Sequence, residues 1–174
     1  MCPETDRNEL AHFVGNAAQV VAQNGQGLAA GLTSVFRKFT ADRGHAIAFN
    51  SDSPHLAASV LESAFEVLAT HDVVIGPTHD GGYYLVGAKA AHASLFEADG
   101  MGTGSALERL QTRAKALGLS TGFTEPFYDI DVANDLLQLA QELQVAPTKA
   151  PRTAEWFGEW QDAIARLGRG AGGL

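Results

Sequence analysis

Basic side chains are scarce in this chain. Of 174 residues only 12 are Lys or Arg, against 20 Asp or Glu, for a formal net charge of −8. The basic residues are scattered, with no run longer than Arg37-Lys38. That argues against a nucleic-acid surface and against an anionic membrane as partner. Cysteine occurs once, as Cys2, which excludes an internal disulfide framework and any Cys-rich zinc site. No apolar stretch is long enough to span a bilayer, and the N-terminus lacks the basic and apolar regions of a signal peptide. A soluble cytoplasmic protein is the expectation. His45, His55, His71, His79 and His92 show no metal-ligand spacing. No Ser-His-Asp order or nucleophile elbow gives support to hydrolase chemistry.

Hydrophobic residues make up 45% of the chain and charged residues 18%, so a sizeable core is expected and disorder is not. The length suits one domain. Glu9 to Ala22 and Leu28 to Phe39 carry apolar residues at helical spacing, separated by Gly25 and Gly27. His45 to Asn50 reads as a buried strand broken by Ser51-Asp52-Ser53-Pro54. A helix over Val60 to Leu68 follows, then strands over Asp72 to Gly76 and Tyr83 to Ala88. A further helix spans Leu107 to Leu117, a strand Leu119 to Thr124, and a helix Leu136 to Leu143. This alternation implies an α/β sheet covered on both faces. Residues 1–146 form the main unit. Pro147 and Pro151 mark a linker, and Trp156, Phe157, Trp160, Ile164 and Leu167 a last helical stripe that docks on the main body or on a second subunit. The tail from Gly168 is Gly-rich, and mobility is expected of it.

The most informative stretch is Gly76-Pro77-Thr78-His79-Asp80-Gly81-Gly82-Tyr83-Tyr84-Leu85-Val86-Gly87. Glycines let a backbone approach a ligand closely, and a carboxylate held beside them can meet a cation or a hydroxyl. A plain Asp-Gly hairpin turn explains the same residues. Asp52 follows a buried strand directly, where α/β sheets bind ligands, and can ligate a hard cation; capping of the next helix is the alternative. Asp129 and Asp131 sit two apart at a strand-to-helix junction, so in an extended segment their carboxylates share a face and repel unless a cation lies between them. Asp131 also suits a helix N-cap. Gly100 to Ser105 offers free N–H groups at a helix start, which favour anions, but no Lys follows as in a Walker loop. His79 lies at the edge of the presumed pocket.

In this order the blocks resemble the bacterial GT-A-fold, glycosyltransferase-A-like family of the nucleotide-diphospho-sugar transferase superfamily, with phospholactate and molybdenum-cofactor guanylyltransferases as more distant relatives. The resemblance covers roughly Gln23 to Leu143. It implies a three-layer α/β/α fold with a mixed, mostly parallel sheet, and transfer from a nucleotide-activated donor to a small-molecule acceptor. It implies Mg²⁺ or Mn²⁺ held by Asp52, Asp129 and Asp131. Asp80 with its neighbour His79 are then the candidate catalytic residues, and Gly81, Gly82, Tyr83, Gly102 and Thr103 the candidate substrate-binding ones. Two features depart from the pattern. Met101 stands where the family often has Trp, and the strand and basic loop that open family members have no counterpart before Met1. That implies a chain lacking about two β/α units at its N-terminus, and favours an incomplete chain or a homodimer over a self-sufficient monomer. Nucleotidyl transfer from a nucleoside triphosphate and a non-catalytic binding subunit are the alternatives.

Overall fold

The computed structural model describes residues 7–16, 18–22, 25–92, 94–96, 105–160 and 164. Helix α1 (Arg7–Val14) opens the described chain and α2 (Gly27–Arg43) follows. Strand β1 (Ala46–Phe49), α3 (Ala58–Thr70), β2 (Val73–Pro77) and β3 (Tyr83–Ala88) come next. Then come α4 (Ala106–Ala116), β4 (Thr121–Phe123), α5 (Ala133–Val145), a 3-10 turn (Pro147–Lys149) and α6 (Pro151–Glu159). Helix α1 is shorter than its sequence pattern, which runs to Ala22. Gly15 takes φ +55° and gives its N–H to the Ala11 carbonyl, a conformation that ends a helix.

The four described strands form one sheet in the order β1-β3-β2-β4. Strand β3 pairs antiparallel with both β1 and β2, while β2 and β4 pair parallel. The sheet is therefore mixed, as expected, with β1, β2 and β4 running one way and β3 against them. Side chains alternate between faces. Val73, Ile75, Val86 and Ala88 face Leu32 and Phe36 of α2 and Leu110 and Ala114 of α4. Val74 and Leu85 face Ala64 and Leu68 of α3, and a bulge opposite Gly76 and Pro77 turns Tyr84 to the same side. Both faces are covered, and the chain is α/β.

The expected last stripe splits into two faces. Phe157 and Ile164, seven positions apart, pack with Leu139, Ala140 and Leu143 of α5. Trp156 and Trp160 lie on another face, stacked on each other at 6.0 Å and about half exposed. Leu167 and the Gly-rich tail fall outside the described residues.

The segment 124–131 matters most for function. It leaves β4 and continues beside β2, with the Thr124 and Phe127 N–H groups given to the Ile75 and Pro77 carbonyls. Tyr84 of β3 holds it through Thr124 Oγ1 at 2.7 Å and the Glu125 carbonyl at 3.0 Å. It ends at the exit of β1, where Ile130 N–H donates to the Asp52 carbonyl at 3.1 Å. Asp129 and Asp131 are thus carried to Asp52.

Candidate functional site

A cleft of about 270 Å³ opens where β1, β2 and segment 124–131 end and β3 begins. Asn50, Asp52, Asp129 and Asp131 line one side and Thr78, Asp80 and Gly82 the other. Tyr83, Leu28 and Ala106 complete it. Four carboxylates and no basic side chain line the cleft, among the described residues.

Asp52, Asp129 and Asp131 each present a carboxylate oxygen within 4.8 Å of the other two. None of the three caps a helix. Helix α3 starts at Ala58, with Ala57 before it and no side-chain cap. Helix α5 follows Val132, and its end is served by Asp135, whose Oδ2 accepts the N–H groups of Asp131 (3.0 Å) and Val132 (2.9 Å). Burial raises the Asp129 pKa above the ordinary carboxylate value, and Asp131, Asp52 and Asp80 push it further the same way. A backbone hydrogen bond opposes them. Asn50 Nδ2 donates to Asp129 Oδ2 at 3.1 Å, while the buried Asn50 Oδ1 has no partner among the described residues. Hard oxygen donors in this arrangement fit Mg²⁺ or Mn²⁺, which take carboxylates and amide oxygens in preference to nitrogen or sulfur.

Asp80 sits in the hairpin that joins β2 to β3, so the turn reading of that stretch holds. Its carboxylate accepts the Thr78 hydroxyl and the Gly82 N–H, the latter at 3.0 Å. These bonds hold its pKa below the ordinary value. A Cβ on Gly82 would come within 2.8 Å of Thr78 Oγ1 and 3.2 Å of Asp80 Oδ1, so only glycine lets this turn close. Tyr83 is half-buried at the start of β3, and burial pushes its hydroxyl up to about 12.

The structure thus gathers Asp52, Asp80, Gly82, Tyr83, Asp129 and Asp131 around one cleft. Gly81 accepts the Leu107 N–H through its carbonyl and ties the hairpin to α4. His79 is exposed and does not line the cleft. Gly102 and Thr103 lie outside the described residues. Asn50 and Thr78 escaped the sequence reading. Asn50 directly follows β1, an edge strand less buried than its sequence suggests, two positions before Asp52, and that place at a strand exit was its signal.

The family model described as "Uncharacterized protein conserved in bacteria (DUF2064)" matches residues 1–103. The chain belongs to this family. In this DUF2064 member the match takes in Asp52 and Asp80 and stops short of Asp129 and Asp131. A crystal structure from Desulfovibrio desulfuricans G20, provisionally described as a nucleotide-diphospho-sugar transferase, superposes with TM-score 0.85 at 20% identity. The alignment covers 96% of this chain and 74% of the other. At that identity the likeness is one of fold, and the fold is the one the sequence resemblance implied. No curated protein sequence matches this chain. Among the described residues, no helix is long and apolar enough to cross a membrane.

Proposed function

We propose that this DUF2064 chain is a metal-dependent transferase that uses a nucleotide-activated donor, a nucleoside-diphosphate sugar, and a small-molecule acceptor. The observation that carries the proposal is the trio of carboxylate oxygens within 4.8 Å of one another in a cleft lined, among the described residues, by no basic side chain. Bare carboxylates repel a diphosphate, so the cleft suits that ligand only together with a cation. The likeness in fold to a protein described as a nucleotide-diphospho-sugar transferase supports the same reading.

Asp52, Asp129 and Asp131 would hold Mg²⁺ or Mn²⁺, with Asn50 orienting Asp129. A divalent cation bound there supplies charge neutralisation for a departing diphosphate. The remaining roles belong to the chain itself. Asp80, fixed by Thr78 and Gly82 and kept ionised, accepts a hydrogen bond from an acceptor hydroxyl and orients it. Gly82 lets Thr78 and Asp80 close on the turn, and Tyr83 closes the floor. Gly81, Gly102 and Thr103 belong to the donor side by resemblance, and His79 is a rim residue beside Asp80. The transferase unit is residues 1–146, with 147–174 as an appended segment.

The test is a thermal-shift titration with Mn²⁺ together with UDP, GDP, dTDP or CTP. A ligand that binds only the native state raises Tm with its excess over Kd. A Mn²⁺-dependent rise with one nucleoside diphosphate is expected. A rise confined to the triphosphate moves the assignment to nucleotidyl transfer. No rise with any of them, with or without Mn²⁺, defeats it.

A further inference from the structure

His55 is buried, only 6% exposed, and neither ring nitrogen has a hydrogen-bond partner among the described residues. Its ring stacks on Phe127 at 4.6 Å and lies against Tyr128 at 4.3 Å. It belongs to the turn that follows Asp52, and its two ring partners immediately precede Asp129 in the chain. The same two segments are also joined by the Ile130 N–H to Asp52 carbonyl bond, by the Asn50 Nδ2 to Asp129 Oδ2 bond at 3.1 Å, and by a long Ser53 hydroxyl to Tyr128 carbonyl contact of 3.5 Å. His55 thus supplies aromatic packing between the segment that carries Asp52 and the one that carries Asp129 and Asp131.

We infer that the neutral His55 ring is a positioning residue that pins these two segments together, and that taking up a proton draws it out of the stack and lets Asp52 part from Asp129 and Asp131. A buried imidazole with no acceptor tolerates the neutral form far better than the charged one. Burial accordingly lowers its pKa. The charged groups that reach it are Glu142 of α5, which raises its pKa, and Lys149 of the 3-10 turn, which lowers it. Glu142 is already held by the Tyr128 hydroxyl at 2.9 Å and by Lys149 at 3.4 Å. The apolar cluster around Phe127, with Val60, Leu61 and Ala64 of α3, supplies no charge. Where the inference concerns a cation it rests on the reading proposed above.

The test begins with the wild-type chain and no metal, by following the His55 ring and the Asp52 and Ile130 amides by NMR from pH 7.5 to 5. His55 is expected to titrate below about 6.5, with both amides moving at the same midpoint. Titration at the ordinary value with the amides unmoved overturns the inference. Mn²⁺ affinity is then measured at pH 7.5 and 5.5 in wild type and in His55→Phe, which keeps an aromatic ring in the stack. Carboxylate protonation weakens both proteins alike, so the extra loss in wild type reports His55. That extra loss is expected to be roughly threefold or more. An equal loss in both proteins overturns the link to the cation. Absence of Mn²⁺ binding at both pH values defeats the proposed function instead, and the pin is then decided by the amide titration alone.

Discussion

Asn50 Nδ2 donates to Asp129 Oδ2 at 3.1 Å, joining residues 79 positions apart in the chain. The amide approaches a carboxylate whose ionised form is disfavoured by burial and by its neighbours. A hydrogen bond given to a carboxylate favours its charged form and fixes its orientation. Groups that orient a metal ligand in this way are typically worth 10–100-fold in affinity. Asn50→Ala is expected to weaken Mn²⁺ binding by about that factor, measured by calorimetric titration. An unchanged affinity removes Asn50 from the site.

Asp52→Asn is expected to abolish Mn²⁺-dependent nucleotide binding while leaving the fold intact. The side chain is exposed and caps no helix, so its neutralisation removes repulsion and no structural bond. The checks are nucleotide-dependent thermal shift and circular dichroism on the same sample. An unfolded variant makes Asp52 structural. Retained binding makes it irrelevant to the site.

Asp129 gives the metal-free protein a pH dependence of definite sign. Its folded pKa is raised, so between the ordinary carboxylate value and that raised value the folded state holds more proton than the unfolded one. Its contribution to stability is complete below the ordinary value and is lost as pH rises through the raised one. Asp129→Asn is expected to have a higher Tm than wild type at pH 7 without metal, with the gap closing as pH falls toward about 4. Added Mn²⁺ is expected to raise the wild-type Tm and leave the variant where it was. Thermal melts at several pH values, with and without Mn²⁺, read both effects. A variant less stable than wild type at pH 7 contradicts the first.

Tyr84→Phe removes the hydroxyl that holds Thr124 and the Glu125 carbonyl. It leaves Thr124, itself only 6% exposed, without that partner. Loss of a buried hydrogen bond with a stranded polar group costs roughly 1–3 kcal/mol. Urea denaturation is expected to show a loss in that range, and Mn²⁺ affinity is expected to fall with it, because the same segment carries Asp129. Loss of stability with affinity untouched would mean that the segment keeps its course without Tyr84.

Helical spacing made α2, α3, α4 and α5 legible, because Leu32 and Phe36, or Leu110 and Ala114, meet one sheet face whatever the strand order. The runs Val73–Ile75 and Tyr83–Val86 marked strands for the same reason. Pairing order was not legible: that β3 inserts between β1 and β2 is decided by contacts across the sheet. The carboxylates stood out through position, at a strand exit and a strand-to-helix junction. Asp131 also looked like a cap, and only the structure assigns that work to Asp135, four residues on. The place of Asn50 at a strand exit was visible, but its partner, like the ring partners of His55, lies on the segment that leaves β4. A lone Asn or His in sequence carries no trace of a neighbour more than 70 positions away. The Gly15 break was visible, but the apolar residues beyond it mimic a continuing helix.

Strand β3 runs between β1 and β2, and its first residue, Tyr83, lies where those two strands end. Adjacent strands are about 4.8 Å apart, so the Asp52 wall and the Thr78–Asp80 wall stand about 10 Å apart, one strand's breadth of open space. That breadth is a property of backbone spacing. Substitutions along the rim can alter which groups greet a guest. The span between the walls stays constant while the strand order does, so a guest held at both walls at once must be long enough to bridge it.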